Sequence, residues 1–365
     1  MDFNINSIKD DEKAVFGLRT LFQKYGYTQY KMSKFEEYDF YVRNKTFLTS
    51  NEIITFTDTT GKLMALKPDV TLSIIKNTKD DGSLQKVCYS ENVYRVSKGS
   101  NLFTEIMQTG LECIGSIGRY EIIETLTLAL KSLELISPDF VLDISYIDIL
   151  AAILDSCGMA ADAKDEIAEC IAKKNQSGAE NLMDKYGAGE DEKKCIASII
   201  SIYGNIGSVL PELDGICINS RVKAAVDEFR EICSLLDKTG YSDRINIDFS
   251  IINDMRYYNG VVFKGYIKGI PSSVLSGGQY DGMMRSMGRT SGAIGFAVYL
   301  DFLESIEKNE KDYDTDLLIV YDDSTDTYEL MKAAEEGAAQ GSVLVEKAVP
   351  AGIKYKRLIR LDGKG

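Results

Sequence analysis

The sequence predicts an α+β protein: an antiparallel sheet flanked by helices, broken by a helical insertion and followed by a small α/β unit. Three observations lead there. Two strand-like runs at 87–94 and 107–114 are joined by a polar loop, the pattern of an antiparallel pair. Residues 160–236 keep a helical period and are rich in Ala, Lys and Glu. After Asp312 the pattern turns to strand, helix, strand, strand over about fifty residues, close to the lower limit for a self-supporting core.

Taken in order, residues 11–24 set Val15, Leu18, Leu21 and Phe22 on one stripe, predicting an amphipathic helix that Gly26 ends. The aromatic-rich stretch 27–41 suits an extended strand, and 51–66 reads as a hairpin turning on Thr59-Thr60-Gly61. Pro68 punctuates, and a helix starts at Leu72. The paired strands 87–94 and 107–114 are expected at the centre of the sheet. A helix over 121–135, a short strand over 140–145 and a helical stretch through Cys157 come next. The insertion, about 160–240, is expected to be all helical and is punctuated by Gly187, Gly204, Gly207 and Pro211. Strands resume at 245–251 and 260–266, with a glycine turn at Gly277-Gly278 and a helix from about Ala293. The tail reads as strand 317–321, helix 327–339 and strands 342–346 and 355–361. Two domains are expected, 1–310 and 313–365.

Composition narrows the function. With 44% hydrophobic and 27% charged residues the chain is ordinary for a soluble globular protein. No apolar run approaches the ~20 residues of a membrane span, and the start lacks a basic-then-apolar leader, so a cytoplasmic location is expected. The net charge of -14 works against a phosphate-gripping surface, and no nucleic-acid partner is expected. Seven cysteines include no CxxC pair, and there is no histidine. Ordinary Cys/His zinc sites, Ser-His or Cys-His nucleophiles and a histidine base are therefore excluded. No metal and no cofactor are expected.

Three clusters are candidates for a site. Gln108, Gly110 and Glu112 recur with period two, which puts the amide and the carboxylate on one strand face with a glycine floor between them. Arg95 ends the partner strand, and Asp69, after Pro68, offers a second carboxylate for an ammonium group. Together these suit a zwitterion; a solvated polar strand face is the simpler alternative. The second cluster is Arg256-Tyr257-Tyr258-Asn259-Gly260, where tyrosines supply flat faces and hydroxyls for a heteroaromatic ligand, or simply pack a sheet. The third is Ser276-Gly277-Gly278-Gln279-Tyr280-Asp281-Gly282 with the later Gly292-Ala293-Ile294-Gly295-Phe296, whose glycines permit close backbone approach.

These segments, LKPDVT, YR…IMQTGLECIG, MRYYNGVVF and GGQYDGM…AIGFAVYLDF, resemble in order four blocks of the histidyl-tRNA synthetases, over roughly residues 10–310. The resemblance implies a class II aminoacyl-tRNA synthetase-like antiparallel sheet. It also implies a histidine-binding set of Asp69, Thr71, Arg95, Gln108, Glu112, Tyr257 and Tyr258, with Glu112 and Tyr258 at the imidazole ring. The ATP-handling arginines do not carry over. Phe302 stands for the last arginine of motif 3, Asn253 lies where another is expected, Val96-Ser97 replaces an acidic position, and Gln279 replaces the arginine of GGRYD. Ser33 replaces the motif 1 proline of the dimer contact, and the tail is shorter than an anticodon-binding domain.

A histidine pocket without ATP arginines resembles the regulatory subunits of ATP phosphoribosyltransferase. That resemblance implies a non-catalytic, histidine-responsive protein that associates with itself and with a short catalytic subunit in histidine biosynthesis. An active but divergent histidyl-tRNA synthetase and a scaffold without an amino-acid ligand are the alternatives.

Overall fold

A computed structural model of the chain describes residues 10–48, 53–96, 102–252, 258–301, 303 and 313–361. The chain divides into two compact units, Met1–Glu304 and Ser305–Gly365. In the first, Ala14, Leu18 and Phe22 recur one helical turn apart and are buried, which fixes the inward face of α1 (Asp10–Lys24). Gly26 at φ +84 turns the chain out of it. β1 (Thr28–Gln29) and β2 (Phe35–Glu37) are short, and α2 (Tyr38–Arg43) replaces the end of the strand expected over 27–41. Its one and a half turns bury Phe40 and Tyr41, a packing gain that the β propensity of aromatics does not reveal.

β3 (Thr55–Thr57) and β4 (Leu63–Leu66) form the expected hairpin; Asp58 Oδ1 accepts from the backbone N–H of Thr60 and Lys62, both at 2.8 Å, and closes the turn. With β2 they make a three-stranded antiparallel sheet. Then come α3 (Thr71–Asn77), β5 (Gln85–Val96), β6 (Phe103–Gly115), α4 (Arg119–Ile136), β7 (Phe140–Tyr146) and α5 (Ile147–Ser156). The insertion follows: α6 (Ala161–Ala172), α7 (Gln176–Lys185), α8 (Glu190–Ser201), β8 (Tyr203–Asn205), α9 (Ile206–Val209) and α10 (Ser220–Asp237). It is not all helical, because β8 pairs antiparallel with β9 (Ile245–Asp248) and becomes an edge of the main sheet.

β10 (Asn259–Ile267), β11 (Leu275–Gln279), α11 (Asp281–Ser286) and β12 (Gly292–Tyr299) complete the unit. Gly277 and Gly278 lie inside β11 rather than in a turn, and the segment from Ala293 is strand, not helix. A short apolar run buried on both faces has no period to separate strand from helix, so neighbours decide. The neighbours here are β6 and β11, in a nine-stranded sheet of order β1-β5-β6-β12-β11-β10-β7-β9-β8. β5 and β6 therefore sit toward one edge and not at the centre. All pairings are antiparallel except β1 with β5 and β7 with β9.

One face of this sheet takes α1 and α4: Phe22 meets Phe296 of β12 edge-on at 5.8 Å, and Gly265 leaves room for Leu133 of α4. On the opposite face α2, α3 and α11 pack over Tyr89, Val93 and Tyr280. No helix among the described residues is long and apolar enough to cross a membrane. The seven cysteines are all free.

α10 begins at Asn219, whose side chain accepts from the N–H of Arg221 and Val222 at 3.0 and 2.9 Å. Asn219→Ala is expected to lower stability by about 1 kcal/mol, read as a shift of the urea midpoint. An unchanged midpoint would mean that this cap is dispensable.

The second unit is β13 (Thr315–Val320), α12 (Thr327–Ala338), β14 (Val343–Glu346) and β15 (Tyr355–Arg360), with all three strands parallel in the order β14-β13-β15. Asp326 caps α12 by accepting from the N–H of Tyr328 and Glu329.

Candidate functional site

Strand register assembles the site. Gln108, Gly110 and Glu112 of β6 stand opposite Tyr299, Ala297 and Gly295 of β12 on one side, and opposite Glu91, Tyr89 and Val87 of β5 on the other. Directly opposed residues in an antiparallel pair share a face, so these side chains all meet on the sheet surface away from α1 and α4. The floor is kept low by small residues. A Cβ at Gly110 would collide with the Phe296 carbonyl oxygen and stand 2.6 Å from the Tyr89 hydroxyl oxygen.

The wall comes from the entry to α3. Asp69 Oδ1 accepts from the Leu72 N–H at 2.8 Å, and Thr71 Oγ1 donates to Glu112 Oε1 at 2.7 Å. Arg95 Nε donates to the Pro68 carbonyl at 3.0 Å. Behind them Lys67, fully buried, pairs with Glu91 at 2.9 Å. Burial pushes the Lys67 ammonium below its ordinary range, and Glu91 pulls it back. A buried ion pair adds little net stability but fixes geometry, and here it ties the β4–α3 connection to β5.

Glu112 is the centre of the site. It is 2% exposed, accepts from Thr71 and from the Tyr280 hydroxyl, and pairs with no lysine or arginine among the described residues. Burial pushes its carboxyl up to about 8; the two hydroxyl donors oppose this, and the Asp69 charge adds to it. Asp69 is also raised by burial, against the Leu72 N–H and the Arg95 charge. Tyr89 and Tyr258 are pushed well up by burial, so both remain neutral phenols. Gln108, 4% exposed, has no side-chain hydrogen-bond partner among the described residues.

These groups line one cavity of about 250 Å³, below the ~300–1,000 Å³ of drug-sized sites and suited to a small metabolite. Asp69, Thr71, Arg95, Gln108, Glu112 and Tyr258 all face it. Tyr257, Arg256, Asn253 and Phe302 lie outside the described residues. Tyr89, Ser276, Tyr280 and Tyr299 also line it and were not anticipated. Counting the register of the β5–β6 pair would have found Tyr89, opposite Gly110. Tyr280 and Ser276 belong to the Ser276–Gly282 glycine cluster, where a hydroxyl on each side of the glycines is the signal that marks them. Chemically, the cavity offers an arginine and a free amide at one end and a carboxyl ringed by hydroxyls at the other. There is no thiol and no lysine among the described residues that line it. Among the described residues no group of three or more acidic or thiol side chains could hold a metal ion.

Comparison with known proteins identifies the family and the fold. The profile described as histidyl-tRNA synthetase matches residues 2–303. The ATP phosphoribosyltransferase regulatory subunit of Alkaliphilus metalliredigens is 31% identical over 287 residues, 76% of this chain and 72% of that protein. Among solved structures, an ATP phosphoribosyltransferase regulatory subunit/histidyl-tRNA synthetase from Bacillus halodurans superimposes with a TM-score of 0.79 at 22% identity, covering 100% of this chain and 97% of the other. A chain of an ATP phosphoribosyl transferase complex from Thermotoga maritima has a TM-score of 0.61 at 19% identity, covering 82% of this chain and 98% of that one. Both structures share the fold.

Proposed function

The chain belongs to the histidyl-tRNA synthetase family, in its branch of ATP phosphoribosyltransferase regulatory subunits, and from that membership we propose that its cavity senses L-histidine. It is a non-catalytic subunit serving the first step of histidine biosynthesis. In this reading it binds the short catalytic subunit, activates it, and transmits inhibition when histidine fills the cavity. Self-association as a dimer within the hetero-oligomer and a cytoplasmic setting belong to the same reading. The Thermotoga maritima relative in fold, a complex of ATP phosphoribosyl transferase, supports the partner assignment.

One observation carries the ligand assignment: a buried carboxyl without a cationic partner among the described residues, set between hydroxyls in an amino-acid-sized cavity. Such a group matches an imidazole, which presents one donor and one acceptor when neutral. Asp69 would face the ligand's ammonium, and Arg95 with Gln108 its carboxylate. Synthetase chemistry is not supported, because Gln279, at the position of an arginine in the synthetase pattern, gives its amide to Asp281 at 2.8 Å and does not line the cavity. Removing one preorganised donor from such a reaction costs ~10²–10³ in rate. Histidine-dependent pyrophosphate exchange is therefore expected at background. Measurable exchange would restore the synthetase.

Calorimetric titration with L-histidine tests the sensor, with and without ATP and with and without the catalytic subunit. Binding indifferent to ATP is expected. Coupling to the partner should be reciprocal and worth ~1–3 kcal/mol. Identical histidine affinity in the presence and absence of the catalytic subunit would rule out linked binding, and no binding at all would leave a scaffold.

A further inference from the structure

β10 opens irregularly. Asn259 stands opposite Gln279 and Val262 opposite Gly278, so three residue steps on β10 match one on β11. Within this bulge Gly260 sits at φ +56, a conformation that side-chain-bearing residues rarely adopt, and its N–H donates to Asp148 Oδ1 at 3.2 Å. Bulges beside binding sites bend the strand and re-aim a neighbouring side chain. The residue next to this one is Tyr258, which faces the cavity.

A second carboxylate, besides that of Asp148, holds the bulge from outside the cavity. Asp281 Oδ2 accepts from Asn259 Nδ2 at 3.0 Å and from Gln279 Nε2 at 2.8 Å. Its Oδ1 accepts from the Ala293 N–H at 2.9 Å, and Asn259 Oδ1 in turn accepts from the Gly282 N–H at 3.3 Å. Four elements thus converge on Asp281: the starts of β10, α11 and β12 and the end of β11. None of Asn259, Gln279 and Asp281 lines the cavity, but each is the chain neighbour of a tyrosine that does. Asn259 follows Tyr258, and Gln279 and Asp281 flank Tyr280, the donor to Glu112.

We propose that Asp281, through Asn259 and Gln279, is a positioning residue that aims Tyr258 and seats Tyr280 at the ring end of the cavity. The part played by a ring rests on the histidine reading above; the positioning of the two phenols does not. An amide at 279 suits this task. It satisfies Asp281 with a neutral donor and leaves room for the Asn259 amide on the same oxygen, whereas a guanidinium would claim the carboxylate in bidentate fashion.

The test uses the full chain with ring-labelled tyrosine and NMR, the two signals being assigned through Tyr258→Phe and Tyr280→Phe. Gln279→Met, and Asn259→Ala in case the first fails to fold, should move both signals while the melting temperature falls by no more than about 4 °C. Histidine affinity should drop about tenfold, whereas affinity for a ring-N-methylated histidine, already unable to use both ring nitrogens, should change far less. Signals that stay in place in a folded variant would overturn the clamp, and so would equal losses for both ligands. A wild-type protein that takes no histidine would sink the ligand reading alone, since the tyrosine signals still decide the positioning.

Discussion

Alanine at Gly295 is expected to close the cavity. Gly295 lies directly opposite Glu112 in the β6–β12 ladder, and a Cβ there would collide with the Glu112 carboxylate and stand 2.5 Å from the Leu111 carbonyl oxygen. The carbonyl belongs to the sheet backbone and cannot yield. The carboxylate can move only by breaking its bonds from Thr71 and Tyr280. Overpacking of this kind typically costs ~1–3 kcal/mol, and the displaced carboxylate would occupy the ligand's place. Gly295→Ala should therefore weaken L-histidine by at least ~100-fold in a calorimetric titration, with a lower urea midpoint. An alanine variant that binds as tightly as the native chain would show that the ligand does not reach Glu112.

Glu112 governs the second large effect. Burial pushes its carboxyl up to about 8 in the folded protein against an ordinary 4.5, because it disfavours the charged form and no cation among the described residues pairs with it. The groups around it are Asp69, which repels its charge, the hydroxyls of Thr71 and Tyr280, and the phenols of Tyr89 and Tyr258. The sign follows from proton counting. Between pH 4.5 and about 8 the folded state holds a proton that the unfolded state has lost, so stability is full below 4.5, falls as pH rises, and levels off above about 8. The slope can reach ~1.4 kcal/mol per pH unit. Glu112→Gln should remove this slope, and the difference between native and variant urea midpoints across pH 5–9 isolates it from other carboxyls such as Asp143, itself raised to about 6 by burial. Parallel pH profiles would mean that Glu112 is ionised in the folded state. In a separate measurement Glu112→Ala should weaken histidine by up to ~100-fold, the scale of leaving a buried polar group of the ligand unpaired.

Both effects depend on one carboxylate whose role was legible early. Period two on residues 108–112 put Gln108 and Glu112 on one face, and the strand geometry bears out that spacing. Asp69 and Thr71 lie 43 and 41 residues before Glu112 in the chain. Residue type alone offered Asp69 to the site, and Thr71 joined it only through the resemblance of LKPDVT to a known block, since no local rule brings an α3 entry over a strand face. The glycine segments were legible as places of close approach but not as strands. Gly277, Gly278 and Gly295 have no side chains to show a period, and their conformation is set by the strands on either side.

By itself the sequence determined the features that depend on residues near one another in the chain: the stripe of α1, the turn at Asp58, the β5–β6 pair and the helical character of most of the insertion. Missing residues were equally readable, since a chain without histidine cannot use one. Only the tertiary structure decided which of two allowed conformations the apolar and glycine-rich segments adopt, that β8 of the insertion joins the main sheet, and that Asp281 gathers four elements behind two tyrosines. The physical reason is the same in each case. A short segment's preference is worth a few tenths of a kcal/mol per residue, whereas pairing and burial against partners distant in the chain are worth several-fold more, and those partners exist only once the sheet has formed.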